Sequence, residues 1–183
     1  MKTIVTHVDA DGILSLSIFF KKFKGSRMRI FFSSNQKFKD TICSSILRER
    51  DLDELYIFDF TGTRETLSIA STYKKVFWFD HHIWEENLTI PKNVKICVEK
   101  SESTANIIAK YFNIESKLVS IANEIDSYNI KSEDATFLKD LIYAYRWKYG
   151  TSNLNSKYKN LARNLAISGL EKFERSENVA KLL

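Results

Sequence analysis

Short apolar runs alternate with amphipathic stretches through the first half of the chain. Residues 3–7, 28–32, 55–60, 76–79 and 94–98 are brief and rich in β-branched and aromatic side chains, which predicts five strands. Between the first four lie 12–24, 38–50 and 64–73, whose apolar positions recur at helical spacing. After residue 98 the pattern becomes wholly helical: 103–112 behind a Ser/Glu/Ser/Thr capping stretch, then 115–126 and 133–149. The tail 154–183 keeps helical composition, with one break at 168–169. Strands alternating with helices predict an α/β fold: a five-stranded, mainly parallel sheet with helices on both faces, plus a helical C-terminal extension. The expected division is 1–130 as one unit and 131–183 as the extension packed on it.

Composition adds little to that picture but excludes some classes. The 183 residues, 44% hydrophobic and 13% aromatic, suffice for one domain with a real core. No apolar run approaches the roughly 20 residues that span a bilayer, so no membrane partner is expected. The N-terminus leads directly into a motif, leaving no room for a signal peptide. Cys43 and Cys97 sit apart in apolar stretches, as free buried thiols do, which suits a reducing, cytoplasmic compartment. The net charge of +5 inclines towards an anionic partner, although a Lys-rich solvated surface explains it as well. The densest basic run, 21–29, fits a helix C-terminus and turn, with contact to a nucleic-acid backbone as the alternative. Trp84 suits base stacking or a core role equally. Tyr143, Tyr145, Trp147 and Tyr149 are expected to pack their helix onto the sheet.

The chemistry concentrates where strands end. All three histidines lie in two motifs, His7-Val8-Asp9-Ala10-Asp11-Gly12 and Asp80-His81-His82. Alternate residues of an extended segment share a face, so His7, Asp9 and Asp11 can converge. Carboxylates crowded this closely repel unless a cation neutralises them, and mixed imidazole–carboxylate sets suit manganese, zinc or iron. Asp59 ends the third strand, and the neighbouring threonines make better helix caps, which favours a ligand role. Asp126 closes a helical stretch and by itself would be a turn carboxylate. In a parallel sheet, ligands bind beyond the carboxyl ends of the strands, and these motifs all fall on that edge.

The order His-x-Asp-x-Asp-Gly, a strand-end Asp, Asp-His-His and then an Asp after a helix resembles the DHH phosphoesterase superfamily. That superfamily includes RecJ-like exonucleases, oligoribonucleases, cyclic-dinucleotide phosphodiesterases and family II pyrophosphatases. The resemblance covers 1 to about 130. It implies a first metal on His7, Asp9 and Asp59, and a second on Asp11, Asp59, His81 and Asp126, with Asp59 shared. His82 would meet the scissile phosphate and Asp80 would orient the adjacent imidazole. Ser103 and Thr104 resemble a small-hydroxyl stretch that holds phosphate at a helix N-terminus, although ordinary capping is the simpler reading.

The implied activity is a two-manganese phosphodiesterase or exonuclease, magnesium being possible, acting on single-stranded nucleic acid or short oligonucleotides. The rivals are a small-molecule phosphoesterase (cyclic dinucleotide, nucleoside bisphosphate or polyphosphate) and a non-catalytic, replisome-type interaction module. Full-length relatives carry a second, substrate-binding domain with a Gly-rich, His-containing motif. Here the five glycines are never paired and no histidine follows His82. That departure implies reliance on a protein partner or on self-association through the C-terminal helices.

Overall fold

The computed structural model describes residues 1–174. In chain order the elements are β1 (Lys2–His7), α1 (Ala10–Lys22), β2 (Met28–Ser33), a 3-10 turn (Asn35–Lys37), α2 (Phe38–Leu47), β3 (Glu54–Phe58), α3 (Arg64–Ala70), β4 (Lys75–Asp80), β5 (Val94–Val98), α4 (Thr104–Phe112), α5 (Lys117–Asp126) and α6 (Glu133–Glu174). The sheet has the order β2-β1-β3-β4-β5, and every adjacent pair is parallel. The predicted α/β class, sheet and C-terminal helices are all present.

Alternation along the strands builds two apolar layers. Leu55 and Ile57 of β3 join Val5, Val76 and Trp78 beneath Phe38, Ile42 and Leu67 of α2 and α3. Tyr56 and Phe58 face the other way, into the cluster of Ile13, Leu16 and Phe19 from α1 with Ala105, Ile108 and Ile121 from α4 and α5. α6 packs on α1 and α5, so Leu138, Leu141, Tyr158, Leu161 and Leu165 belong to the same cluster. Its run is broken at Gly150 (φ 54°) and Gly169 (φ 66°), both in the left-handed region that glycine tolerates. The break expected at 168–169 is there, and the helix expected over 133–149 ends at the other; positions 175–183 of the expected tail lie outside the described residues.

Four expectations need adjusting. β3 ends at Phe58, two residues early, because Asp59 adopts a left-handed φ of 63° that no strand can continue. α2 and α3 stop at Leu47 and Ala70, ahead of 50 and 73, each closing in a tight turn. Cys43 and Cys97 are free but only partly buried. Tyr143 and Trp147 do not pack inward: they are 56% and 89% exposed. Residues two apart on a helix lie about 200° round it, so an alternating run must split between faces. Tyr145 and Tyr149 take the other stripe, their rings 5.4 Å apart. No described helix is long and apolar enough to cross a membrane.

Candidate metal centre

In a sheet of this order the chain winds in opposite directions from β1 and β3, and a crevice opens between their carboxyl ends. The turn after β1 begins with Asp9, which caps α1 by accepting the Gly12 N–H at 2.9 Å. Gly12 is required there: a Cβ would lie 2.3 Å from the His7 carbonyl oxygen. Asp11 is buried, and its two oxygens accept the backbone N–H groups of Thr104 (2.7 Å) and Ala105 (3.0 Å) at the start of α4. Asp59 follows β3, donates its own N–H to Phe79 O at 2.9 Å, and accepts from Thr104 Oγ1 at 3.2 Å. Thr63, with Thr66, forms the α3 capping box, so that helix leaves Asp59 free for other work.

The strand-end residues converge. His7 Nδ1 lies 2.5 Å from Asp9 Oδ2 and 3.5 Å from Asp59 Oδ2. His81 Nε2 lies 3.1 Å from Asp126 Oδ2, 3.6 Å from Asp59 Oδ1 and 3.9 Å from Asp11 Oδ2. His7, Asp9 and Asp59 thus form one donor group and Asp11, His81 and Asp126 a second; Asp59, His81 and His82 form a third, overlapping both.

His81 is the informative member. Its Nδ1 is 3.3 Å from the Ser101 backbone carbonyl, which can only accept, so Nδ1 is placed to donate there and Nε2 is turned towards the carboxylates. That Nε2 is buried and makes no hydrogen bond, because its approach to Asp126 lacks the geometry for one. A buried ring nitrogen left without a hydrogen bond among three carboxylates is costly alone, and a cation there would satisfy all four groups. The donor set therefore fits divalent metal ions.

Electrostatics point the same way. Burial pushes Asp59 up to about 6, with Asp9 and Asp126 adding to the rise. Burial also holds Asp11 well above the usual carboxylate range, reinforced by Asp59, and raises Asp126. For Asp9, burial is outweighed by the bond to His7, and its pKa is lowered. The His7 ring resists protonation through burial, yet Asp59 and Asp9 raise it to about 10. A proton thus holds together carboxylates that a metal would hold better.

His82 stands at the rim, half exposed, with Nδ1 2.6 Å from the wholly buried Asp80. That bond raises its pKa to about 9. The other Asp80 oxygen accepts Trp84 Nε1 at 2.7 Å. Trp84 lies against Gly62, where a Cβ would meet its ring at 2.4 Å, and edge-on to Trp78. Its role here is to brace Asp80.

Every residue singled out as a ligand lies in this crevice. Ser103 caps α4 by accepting the Asn106 N–H and donates to Asn123 Oδ1, while Thr104 is wholly buried. Thr104 supports Asp11 through its backbone N–H and Asp59 through its hydroxyl, whereas the contacts of Ser103 are to Asn106 and Asn123. The basic run 21–29 starts at the C-terminal end of α1, on the opposite edge of the sheet. Sequence reasoning missed the far wall: a cavity of about 530 Å³ joins Asp9, Asp11 and Asp126 to Tyr128, Lys139, Tyr143, Arg146 and Tyr158. No motif marks those positions.

A parallel α/β domain with an acidic, histidine-lined switch point defines the class. Solved structures narrow it. The chain superposes over its whole length on the pGpG-specific phosphodiesterase PggH from Vibrio cholerae, with a TM-score of 0.64 and 12% identity, covering 58% of that chain. Against exonuclease RecJ bound to manganese the TM-score is 0.55 at 12% identity, covering 99% of this chain and 60% of that one. An uncharacterised protein from Helicobacter pylori G27 gives 0.55 at 11% identity, over 98% of this chain and 67% of its own. The fold is the RecJ-like DHH fold. The chain spans about 60% of the length of the first two structures. No family profile and no curated protein matches it in sequence.

Proposed function

We propose that the protein is a two-metal phosphodiesterase that hydrolyses single-stranded nucleic acid or short oligonucleotides. The observation that carries this reading is the buried, unbonded Nε2 of His81 among the carboxylates of Asp11, Asp59 and Asp126. His7, Asp9 and Asp59 would hold one cation; Asp11, His81 and Asp126, with Asp59 shared, would hold the other. Manganese suits this nitrogen–oxygen set best, and magnesium is tolerated. When bound, such a pair acidifies a water and neutralises phosphoryl oxygens.

The remaining roles belong to the chain itself. Asp80 fixes the His82 ring and keeps it cationic at neutral pH, so the ring can donate to a non-bridging oxygen of the scissile phosphate. Ser101 fixes the tautomer of His81, and Thr104 steadies Asp59. The DHH fold shared with a pGpG-specific phosphodiesterase and with exonuclease RecJ supports a phosphodiester substrate over pyrophosphate.

The test is turnover of end-labelled DNA and RNA oligomers with manganese, beside cyclic dinucleotides and pyrophosphate, for wild type and Asp59→Asn. Metal-dependent shortening of the oligomers that is lost in the variant is expected. Turnover of pyrophosphate alone, or of nothing, overturns the reading.

A further inference from the structure

The cavity beside the carboxylates has a second wall of different chemistry. Lys139, Tyr143 and Arg146 of α6 are spaced four and three apart, so they form one stripe, and all three line the cavity with Asp9, Asp11 and Asp126. Tyr158 is wholly buried beneath them. At the mouth Tyr128 is 95% exposed and Tyr143 56% exposed, two aromatic faces left in water. Arg146 has no ion pair among the described residues, and Lys139 reaches only Asp140, at 3.7 Å. Trp147, 89% exposed, continues the Tyr143 face one turn further on.

We infer that this wall is a nucleotide subsite, in which Arg146 and Lys139 receive the phosphate next to the scissile one and Tyr143 and Tyr128 stack its base. The inference rests on the phosphodiesterase reading and deepens it. The occupant follows from the lining. Cations beside a carboxylate cluster call for an anion that can bridge them and the metals, and exposed tyrosines call for a planar apolar ring. A nucleotide supplies both. The volume of about 530 Å³ suits a single nucleotide rather than a tract. Successive bases stacked on aromatic faces, with the backbone tracked by cations, is how single strands are gripped without sequence preference. The substrate class is thus a short oligonucleotide held by the unit flanking the cleaved bond. The helix in the C-terminal third of the chain is a recognition element as well as core packing.

Two measurements separate this from the reading beneath it. The first is quenching of 2-aminopurine riboside 5′-monophosphate, which contains no phosphodiester, by manganese-loaded wild type, Tyr143→Ala, Arg146→Ala and Arg146→Lys. Saturable quenching by the wild type is expected, weakened about tenfold in the two alanine variants and largely restored by Arg146→Lys. The riboside without phosphate should bind weakly to all four. The second is kinetics on a dinucleotide and on bis(p-nitrophenyl) phosphate. The alanine variants should raise KM for the dinucleotide about tenfold and leave its kcat unchanged, and on bis(p-nitrophenyl) phosphate, which has no second phosphate, Arg146→Ala should raise KM far less than on the dinucleotide. Circular dichroism checks that the exposed substitutions leave the fold intact. If the monophosphate binds as designed but nothing is turned over, the subsite stands and the phosphodiesterase reading falls. If turnover is seen and the variants match the wild type in binding and KM, or if the monophosphate fails to saturate, the subsite is overturned.

Discussion

Asp11 Oδ2 accepts the backbone N–H of Thr104 at 2.7 Å, across ninety-three positions of sequence, and its other oxygen takes Ala105. One carboxylate thus closes the N-terminus of α4 and faces the candidate metal centre. Its position is preset by a helix it does not belong to. Asp11→Ala would leave two buried N–H groups unpaired, a loss of about 1–3 kcal/mol each, against which relief of repulsion counts in the other direction. We expect the unpaired donors to dominate, with a Tm several degrees below wild type in metal-free buffer. An unchanged or higher Tm in thermal unfolding would show that repulsion at this position outweighs its bonds.

Asp59 should behave oppositely. Its folded pKa of about 6 lies above the ordinary value of 3.8, so the ionised form is penalised in the native state. The penalty is fully present above about pH 6, shrinks as pH falls through 6 towards 4, and is gone below. Asp59→Asn keeps a side chain that tolerates the left-handed φ of 63° and can still accept from Thr104. The metal-free variant should therefore be more stable than wild type at pH 8 and equal to it at pH 4, while losing stabilisation by manganese. Differential scanning calorimetry at the two pH values checks the sign.

Much of this was legible beforehand because the chemistry sits at strand ends, where a period of two and then a break can be read directly. His7, Asp9, Asp11, Asp59, His81 and Asp126 are all in place in the crevice. What stayed hidden depends on contacts between distant segments. Nothing near Thr104 announces that its amide serves Asp11. Nothing in 139–146 announces that α6 folds back over the crevice, since the same residues would suit any amphipathic helix. The aromatic run 143–149 misled for a simpler reason: composition gave its apolarity, but only the helical period says which members face out.

Metal binding should release protons. His7 is raised to about 10 and Asp59 to about 6, and Asp11 lies well above its usual range, so at neutral pH the metal-free site retains protons that ligation must displace. Manganese affinity should rise steadily from pH 6 to pH 8. Titration calorimetry in two buffers of different ionisation enthalpy should give a positive proton count at pH 7. A pH-independent affinity with no proton release would contradict the charge distribution described for the crevice.

Gly12→Ala tests the turn that carries Asp9 and Asp11. An added Cβ would sit 2.3 Å from the His7 carbonyl oxygen, and the atom in the way is backbone. Relief must therefore move the β1–α1 turn itself, at a cost of about 1–3 kcal/mol or more. We expect a lower Tm together with manganese affinity weakened at least as much as by losing one ligand. Thermal unfolding with and without manganese separates the two effects. A variant that loses stability but binds manganese normally would show that the turn can shift without moving the carboxylates.

The Asp80–His82 pair makes the sharpest kinetic prediction. Asp80 is wholly buried and holds His82 Nδ1 at 2.6 Å, which raises the ring to about 9 and leaves its other nitrogen directed elsewhere. Donation to an anionic phosphoryl oxygen needs the protonated ring, so the rate should fall as pH rises through the His82 pKa. In wild type that alkaline limb belongs near 9. Asp80→Asn keeps the shape and can still accept from Trp84, but removes the charge that sustains the imidazolium. The ring should then titrate closer to 6.5, and the alkaline limb should move down by about two pH units. The variant should approach wild-type kcat near pH 6 and fall to a small fraction of it, on the order of one-hundredth, by pH 9. His82→Asn should lack this limb altogether, with low activity at every pH. A pH–rate profile for the three proteins decides the matter: an alkaline limb unmoved in Asp80→Asn, or still present in His82→Asn, would assign the titration to another group and remove His82 from its role at the phosphate.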